Sequence, residues 1–245
     1  MIRPFFSYYG GKWRNAPRQY PPPSRDLIVE PFAGSAGYAT RYHDRGVVLC
    51  DSDPAVAAVW RFLISATKSD ILAIPDLPHG LSVDDLGLDP GPAALVGFWL
   101  NRGGARPKKR ASAWMRSGAR TRPGSYWGGV VRNRLAAQVE KINHWRFVEG
   151  DYTCTESAGD ATWFIDPPYR SAGKHYRHGS SRIDYNELAS WCRRRRGQVI
   201  VCEQAGARWL PFSVVGTNKT ARRDRRCCEV AWFNNEGKAN DGSSE

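Results

Sequence analysis

No stretch of this chain approaches the ~20 consecutive apolar residues that a membrane-spanning helix needs. The opening residues, Met1-Ile2-Arg3-Pro4-Phe5-Phe6-Ser7-Tyr8, lack the apolar core of a signal peptide. None of the six cysteines (Cys50, Cys154, Cys192, Cys202, Cys227 and Cys228) stands in a Cys-x-x-Cys pair. That argues against a disulfide scaffold and against a structural zinc, and points to a reduced, cytoplasmic protein. His175 and His178 have a His-x-x-His spacing but no further ligands to complete a set, so no metal is expected. The dinucleotide fingerprint Gly-x-Gly-x-x-Gly is missing, as is the Gly-Lys-Ser/Thr of a P-loop. There is no internal repeat. Acids are outnumbered, 24 Asp and Glu against 36 Lys and Arg, which leaves a net charge of +12 and a pI near 9.7. Such an excess favours a polyanionic partner, because phosphates attract basic faces and release counterions on binding.

A chain of 245 residues can form one large domain or one domain with an insertion. Leu27-Ile28-Val29-Glu30 reads as a buried strand. It runs into Pro31-Phe32-Ala33-Gly34-Ser35-Ala36-Gly37, and residues 38–45 read as a helix. Strand, glycine-rich turn and helix begin a Rossmann-like fold. A second strand, Val47-Val48-Leu49-Cys50, ends at Asp51. An acid at the end of the second strand accepts from ribose hydroxyls in nucleotide-binding α/β folds. Asp53-Pro54 then reads as an N-cap and first helical position, with Val56, Val59, Trp60 and Leu63 at core spacing.

The texture changes from about Ile71. Prolines and glycines break up residues 75–92, and a short helix over 93–100 leads to Asn101-Arg102-Gly103-Gly104. Residues 106–122 carry Lys and Arg, including Lys108-Lys109-Arg110, and no acid. Basic residues interleaved with Trp and Tyr suit either a nucleic-acid surface or a solvated loop. A helix over 131–142 and a strand at Trp145-Arg146-Phe147-Val148-Glu149 follow, then Gly150-Asp151-Tyr152.

The stretch Thr162-Trp163-Phe164-Ile165-Asp166-Pro167-Pro168-Tyr169 organises the rest. An apolar strand ends in a carboxylate, two prolines and a ring. The prolines stop the sheet ladder and leave neighbouring carbonyls free to accept. The result is either a plain Pro-Pro turn or a rigid ledge of acceptors suited to a planar substrate bearing an amino group. Residues 170–184 read as a polar loop able to cover that ledge. A helix over 185–194 and strands at 198–202, 213–215 and 229–233 complete the pattern.

Three separated segments, in order, resemble the adenine-specific DNA methyltransferases of the Dam-like (D12) class. They are Tyr8-Tyr9-Gly10-Gly11-Lys12, the turn from Pro31 to Gly37, and Asp166-Pro167-Pro168-Tyr169. Phe98-Trp99-Leu100-Asn101-Arg102 resembles the start of that class's target-recognition region, and Asp151-Tyr152 its acid–aromatic pair. The chain departs from the class at Tyr8, where Trp is usual, and at Ala36, where the second glycine of the turn is usual. It also departs after Arg102, where the recognition sequence differs.

The resemblance implies an α/β, Rossmann-like S-adenosylmethionine-dependent methyltransferase sheet. Residues 1–74 and 145–234 would form the catalytic domain, 75–144 an inserted target-recognition region and 235–245 a flexible tail. It implies S-adenosylmethionine bordered by Tyr8, Lys12, Phe32, Gly34, Asp51, Asp151, Tyr152 and Asp166. Transfer to adenine N6 would occur on the ledge Asp166, Pro167, Pro168 and Tyr169, with the base flipped out of double-stranded DNA. Asn101, Arg102, Lys108, Lys109, Arg110, Lys174 and Arg177 are the candidate nucleic-acid contacts. A monomer is favoured. A cytosine-N4 or RNA adenine methyltransferase, a catalytically silent nucleic-acid-binding relative, and an enzyme acting on a protein side-chain amide remain alternatives.

Overall fold

A computed structural model describes residues 2–100, 103–113, 115–117, 124–170, 179–219 and 226–234. Its centre is a seven-stranded sheet in the order β3-β2-β1-β4-β5-β7-β6. The strands are β1 (Leu27–Glu30), β2 (Gly46–Asp51), β3 (Arg146–Glu149), β4 (Asp160–Ile165), β5 (Arg196–Gln204), β6 (Ser213–Lys219) and β7 (Arg226–Phe233). The first five run parallel, whereas β7 runs antiparallel to both β5 and β6. This is an α/β, Rossmann-like sheet. Parallel strands are covered on both faces and therefore read as continuous apolar runs, as β1, β2 and β4 do.

Alternation along the strands divides the core in two. Ile28, Leu49, Phe164 and Ile200 face one layer, together with Trp60, Leu63, Phe98 and Leu135. Val29, Trp163, Ile165 and Val199 face the other, together with Leu188, Trp191 and Trp209. The first layer is built by α2 (Pro54–Ser65), α3 (Lys68–Ala73), α4 (Pro90–Leu100) and α5 (Gly129–Ala136). The second is built by α6 (Tyr185–Arg193). Helices α4 and α5 come from the 75–144 stretch, yet α4 packs on α2 and α5 on α3, within the same core. Among the described residues, no helix is long and apolar enough to cross a membrane.

Strands β1 and β4 are neighbours, with Ile28 opposite Thr162 and Val29 opposite Trp163. The chain leaves β1 towards β2 on one side, and returns through β4 on the other. The carboxyl ends of β1 and β4 therefore flank the point where strand order reverses, which is where open α/β sheets bind ligands. Asp53 caps α2 as the sequence indicates, its Oδ1 accepting from the Ala55 N–H at 2.9 Å.

Several elements differ from the sequence reading. Strands β6 and β7 reach Lys219 and start at Arg226, beyond the expected 213–215 and 229–233. Residues 38–45 form no α-helix, only a 3₁₀ turn over Ala39–Tyr42. Few residues separate Gly37 from the start of β2, and the Thr40 hydroxyl bonds back to the Ala36 carbonyl, competing with a helical ladder. The helix over 131–142 is broken after α5 and continues as a 3₁₀ turn over Val139–Ile142. At the break the buried Gln138 side chain bonds both backbone groups of Arg3. Helix α3 was missed, although its capping box, Thr67 with Asp70, is a readable start signal.

Candidate active site

A cavity of about 570 Å³ opens at the carboxyl ends of β1, β2 and β4. Two loops form its floor. The turn after β1 and the loop 8–13 lie face to face: a Cβ on Gly37 would stand 2.8 Å from the Trp13 backbone nitrogen and 2.9 Å from that of Lys12. Gly34 has φ +45°, and a Cβ there would meet the Tyr8 ring at 2.8 Å. The turn also holds Ala36 at φ +48°, the left-handed region that favours glycine. That geometry costs an alanine about 1–2 kcal/mol.

The turn is pinned from three sides. The buried Trp60 indole donates to the Gly34 carbonyl at 2.8 Å. Glu30 Oε1 accepts from the Ala39 N–H at 2.6 Å. Asp51 accepts from the Gly34 N–H through Oδ2 and from the Asp53 N–H through Oδ1, each at 2.9 Å. Burial pushes the Glu30 carboxyl up to about 8 and the Asp51 carboxyl up to about 6, against the lowering effect of those N–H groups. Gly34→Ala should therefore lower Tm by roughly 2–8 °C, from about 1–2 kcal/mol of backbone strain and a displaced Tyr8 ring. A melting curve unchanged from wild type would refute the tight approach.

On the β2–β3 side, Phe32 and Tyr152 stack with centroids 5.7 Å apart, and both line the cavity. Asp151 caps the 3₁₀ turn Tyr152–Ala158, accepting from the Thr153 N–H, and lines the cavity as well. The wall is acidic in a chain that is basic as a whole. Glu30, Asp51, Asp53, Asp151, Asp166, Asp184 and Glu187 line it against Lys12 and Arg182.

The ledge closes the remaining side. Asp166 lies just beyond β4 with its side chain 19% exposed. Its Oδ2 pairs with Lys12 Nζ at 2.8 Å, while Oδ1 is buried and has no hydrogen-bond partner. Burial raises the Asp166 carboxyl and the Lys12 ammonium opposes that rise. Pro167 is buried, and among the described residues nothing donates to its carbonyl. The Pro168 carbonyl is not free, because it accepts the Tyr185 hydroxyl at 2.5 Å. Glu203, at the end of β5, accepts from the Arg170 N–H at 3.3 Å and from the Trp209 indole at 3.0 Å, which holds the chain beyond the ledge.

Tyr169 does not line the cavity. Its hydroxyl bonds Glu229, and the Lys12 ammonium stands 4.9 Å from its ring centroid. Lys12, placed beside the cofactor by the sequence, thus also reaches the ledge. Asn101, Arg102, Lys174 and Arg177 lie outside the described residues. Lys108, Lys109 and Arg110 are exposed, and Lys109 is ion-paired to Asp84 at 2.7 Å. The backbone just after Arg102 meets the cavity loop, with Tyr9 N–H to the Gly104 carbonyl and Gly103 N–H to Ser7 Oγ.

The sequence reading missed Glu229, Glu203 and Tyr20. For the two acids the signal was a carboxylate within or at the end of an apolar strand. Asp166, Cys202 and Glu229 present ligand atoms within 4.8 Å of one another. Lys12 Nζ already places a positive charge there, 2.8 Å from Asp166 and 3.5 Å from Glu229.

No family model matches this chain, and no curated protein matches it. Among solved structures it is similar to a conserved hypothetical protein of Streptococcus pyogenes, at 10% identity and a TM-score of 0.39, covering 87% of this chain and 88% of that one. It is also similar to a protein described as "Putative methyltransferase yhhF from Escherichia coli", at 11% identity and a TM-score of 0.33, covering 84% and 73%. Both likenesses are distant.

Proposed function

We propose that this chain is an S-adenosylmethionine-dependent methyltransferase acting on the N6 amino group of adenine in double-stranded DNA. One observation carries the reading. The unpartnered Oδ1 belongs to Asp166, which with Pro168 lines the same cavity as the glycine turn and Asp51. An orphaned buried carboxylate oxygen is costly unless a ligand supplies the missing donor.

The residues present fit the cofactor. Its sulfonium and ammonium are cationic, and the cavity wall is dominated by carboxylates. Phe32 and Tyr152 offer aromatic faces to its adenine, Asp51 an acid to its ribose, and Asp151 an acceptor to its amino group. Tyr8, Lys12 and Gly34 complete the floor on which it would rest. The cavity volume lies within the range of small-molecule sites. When bound, S-adenosylmethionine supplies an electrophilic methyl group.

The chain's own task is to present an amino nitrogen. That nitrogen's lone pair is delocalised into its ring, so it is a weak nucleophile. Asp166 Oδ1 and the Pro167 carbonyl can each accept one N–H, which favours a pyramidal nitrogen with its lone pair directed outwards. Catalysis then comes from positioning and electrostatics. Tyr169, outside the cavity wall, braces Lys12 beside the ledge. A base within a duplex cannot reach the ledge and has to be flipped out. The net charge of +12 supports a polyanionic substrate, with Asn101, Arg102, Lys108, Lys109, Arg110, Lys174 and Arg177 as the proposed DNA contacts.

The test is transfer of a labelled methyl group to duplex DNA, followed by digestion and identification of the modified nucleoside. N6-methyladenine is the expected product. N4-methylcytosine, or label in RNA or protein alone, would overturn the adenine assignment. Absence of both saturable cofactor binding and transfer would overturn the enzyme reading.

A further inference from the structure

The ledge is backed by two buried polar side chains that the proposed reaction does not use, Glu229 and Tyr20. Glu229 on β7 is 4% exposed and stands opposite Gln204, at the carboxyl end of β5. Its Oε1 accepts the Tyr20 hydroxyl at 3.0 Å and the Tyr169 hydroxyl, and lies 3.5 Å from Lys12 Nζ. Lys12 in turn bonds Asp166 and stands over the Tyr169 ring. One carboxylate therefore contacts two groups that set the ledge: the Tyr169 ring over which Lys12 stands, and the ammonium that holds Asp166 Oδ2.

The geometry points to Glu229 as the positioning residue of the ledge, fixing the Tyr169 ring through its hydroxyl and sharing Lys12 with Asp166. A buried carboxylate in an apolar strand costs desolvation unless its hydrogen bonds and counter-charge are supplied. Tyr20, Tyr169 and Lys12 supply them. The alternative role, a structural tie between β7 and the α1 segment (Ala16–Gln19) through Tyr20 alone, does not need Tyr169 or Lys12.

This rests on the proposed transfer reaction but makes a separate claim. The charged and titratable groups around Asp166 are Lys12, Glu229, Tyr169, Tyr20 and Cys202, with Glu30 and Glu203 beyond. The negative charge of Glu229 raises the Asp166 carboxyl. Its removal should let Asp166 ionise at lower pH.

Two variants test the proposal. Glu229→Leu removes the carboxylate that both hydroxyls share while suiting an apolar strand. It should lower kcat about tenfold to a hundredfold, as a misplaced reacting group does, and leave the dissociation constant for S-adenosylmethionine within about twofold of wild type. In its crystal structure the Tyr169 ring should leave its place. Glu229→Gln keeps an acceptor and removes the charge, so it should lose less kcat and move the acid limb of the kcat–pH profile to lower pH. A Glu229→Leu protein with unchanged kcat and an unmoved Tyr169 ring overturns the proposal. If that protein does not fold, an unmoved acid limb in Glu229→Gln overturns it instead. If the wild-type chain methylates no DNA, the functional reading fails on its own, and the position of the Tyr169 ring in the Glu229→Leu structure decides the role of Glu229.

Discussion

Asp166→Ala is expected to reduce methyl transfer by roughly 10²–10³-fold or more, the scale on which loss of one preorganised hydrogen-bonding group acts. The variant removes Oδ1, a buried carboxylate oxygen without a hydrogen-bond partner, and Oδ2, which fixes the Lys12 ammonium. The fold should survive. Lys12 keeps the Gly10 carbonyl at 3.0 Å and Glu229 at 3.5 Å, so no ammonium is stranded in the interior. Binding of S-adenosylmethionine should persist, because the glycine turn, Asp51 and the Phe32–Tyr152 pair are untouched. Single-turnover transfer with saturating cofactor and DNA isolates the effect. Transfer at the wild-type rate would remove Asp166 from the reaction and with it the proposed role of the ledge.

Trp60→Ala should produce the largest loss of stability in the first core layer. The side chain is fully buried and meets Phe5 at 6.1 Å, Phe6 at 5.6 Å and Trp145 at 5.9 Å between ring centroids. Truncation of such a residue costs about 3–5 kcal/mol, so Tm should fall by roughly 6–20 °C. Trp60→Phe separates two effects, since it keeps most of the packing but loses the N–H that holds the Gly34 carbonyl. It should cost about 1–2 kcal/mol and weaken cofactor binding more than its stability loss alone explains. Calorimetry on both variants, with and without S-adenosylmethionine, checks this. Equal cofactor affinity in Trp60→Phe and wild type would show that the glycine turn holds its shape without the indole.

What could be read from the chain divides along the range of the interactions. Strand β1, the cap at Asp53 and the end of β4 were legible because apolar runs and prolines act over a few neighbouring residues. The ledge was legible for the same reason. The 3₁₀ turn at Ala39–Tyr42 was not, since its shape comes from the Glu30 carboxylate and the Thr40 hydroxyl rather than from periodicity. The break after α5 depends on Gln138 reaching Arg3, far away in sequence. Glu229 was the hardest to see. Its partners are Lys12, Tyr20 and Tyr169, and only the antiparallel placement of β7 brings them together. The same limit explains why Lys12 was assigned to the cofactor and not also to Asp166.

The reversed strand also has a consequence for how the protein is made. Chains emerge from the ribosome amino end first, and domains tend to fold as they appear. Loop 8–13, the glycine turn and the ledge are all synthesised before β7. Until residue 229 has emerged and paired with β5, neither Lys12 nor the Tyr169 hydroxyl has its contact with Glu229. A nascent chain halted short of β7 would hold its central parallel strands but not a finished ledge. The contacts that complete the ledge would therefore form late in synthesis, when the reversed strand β7 enters the sheet.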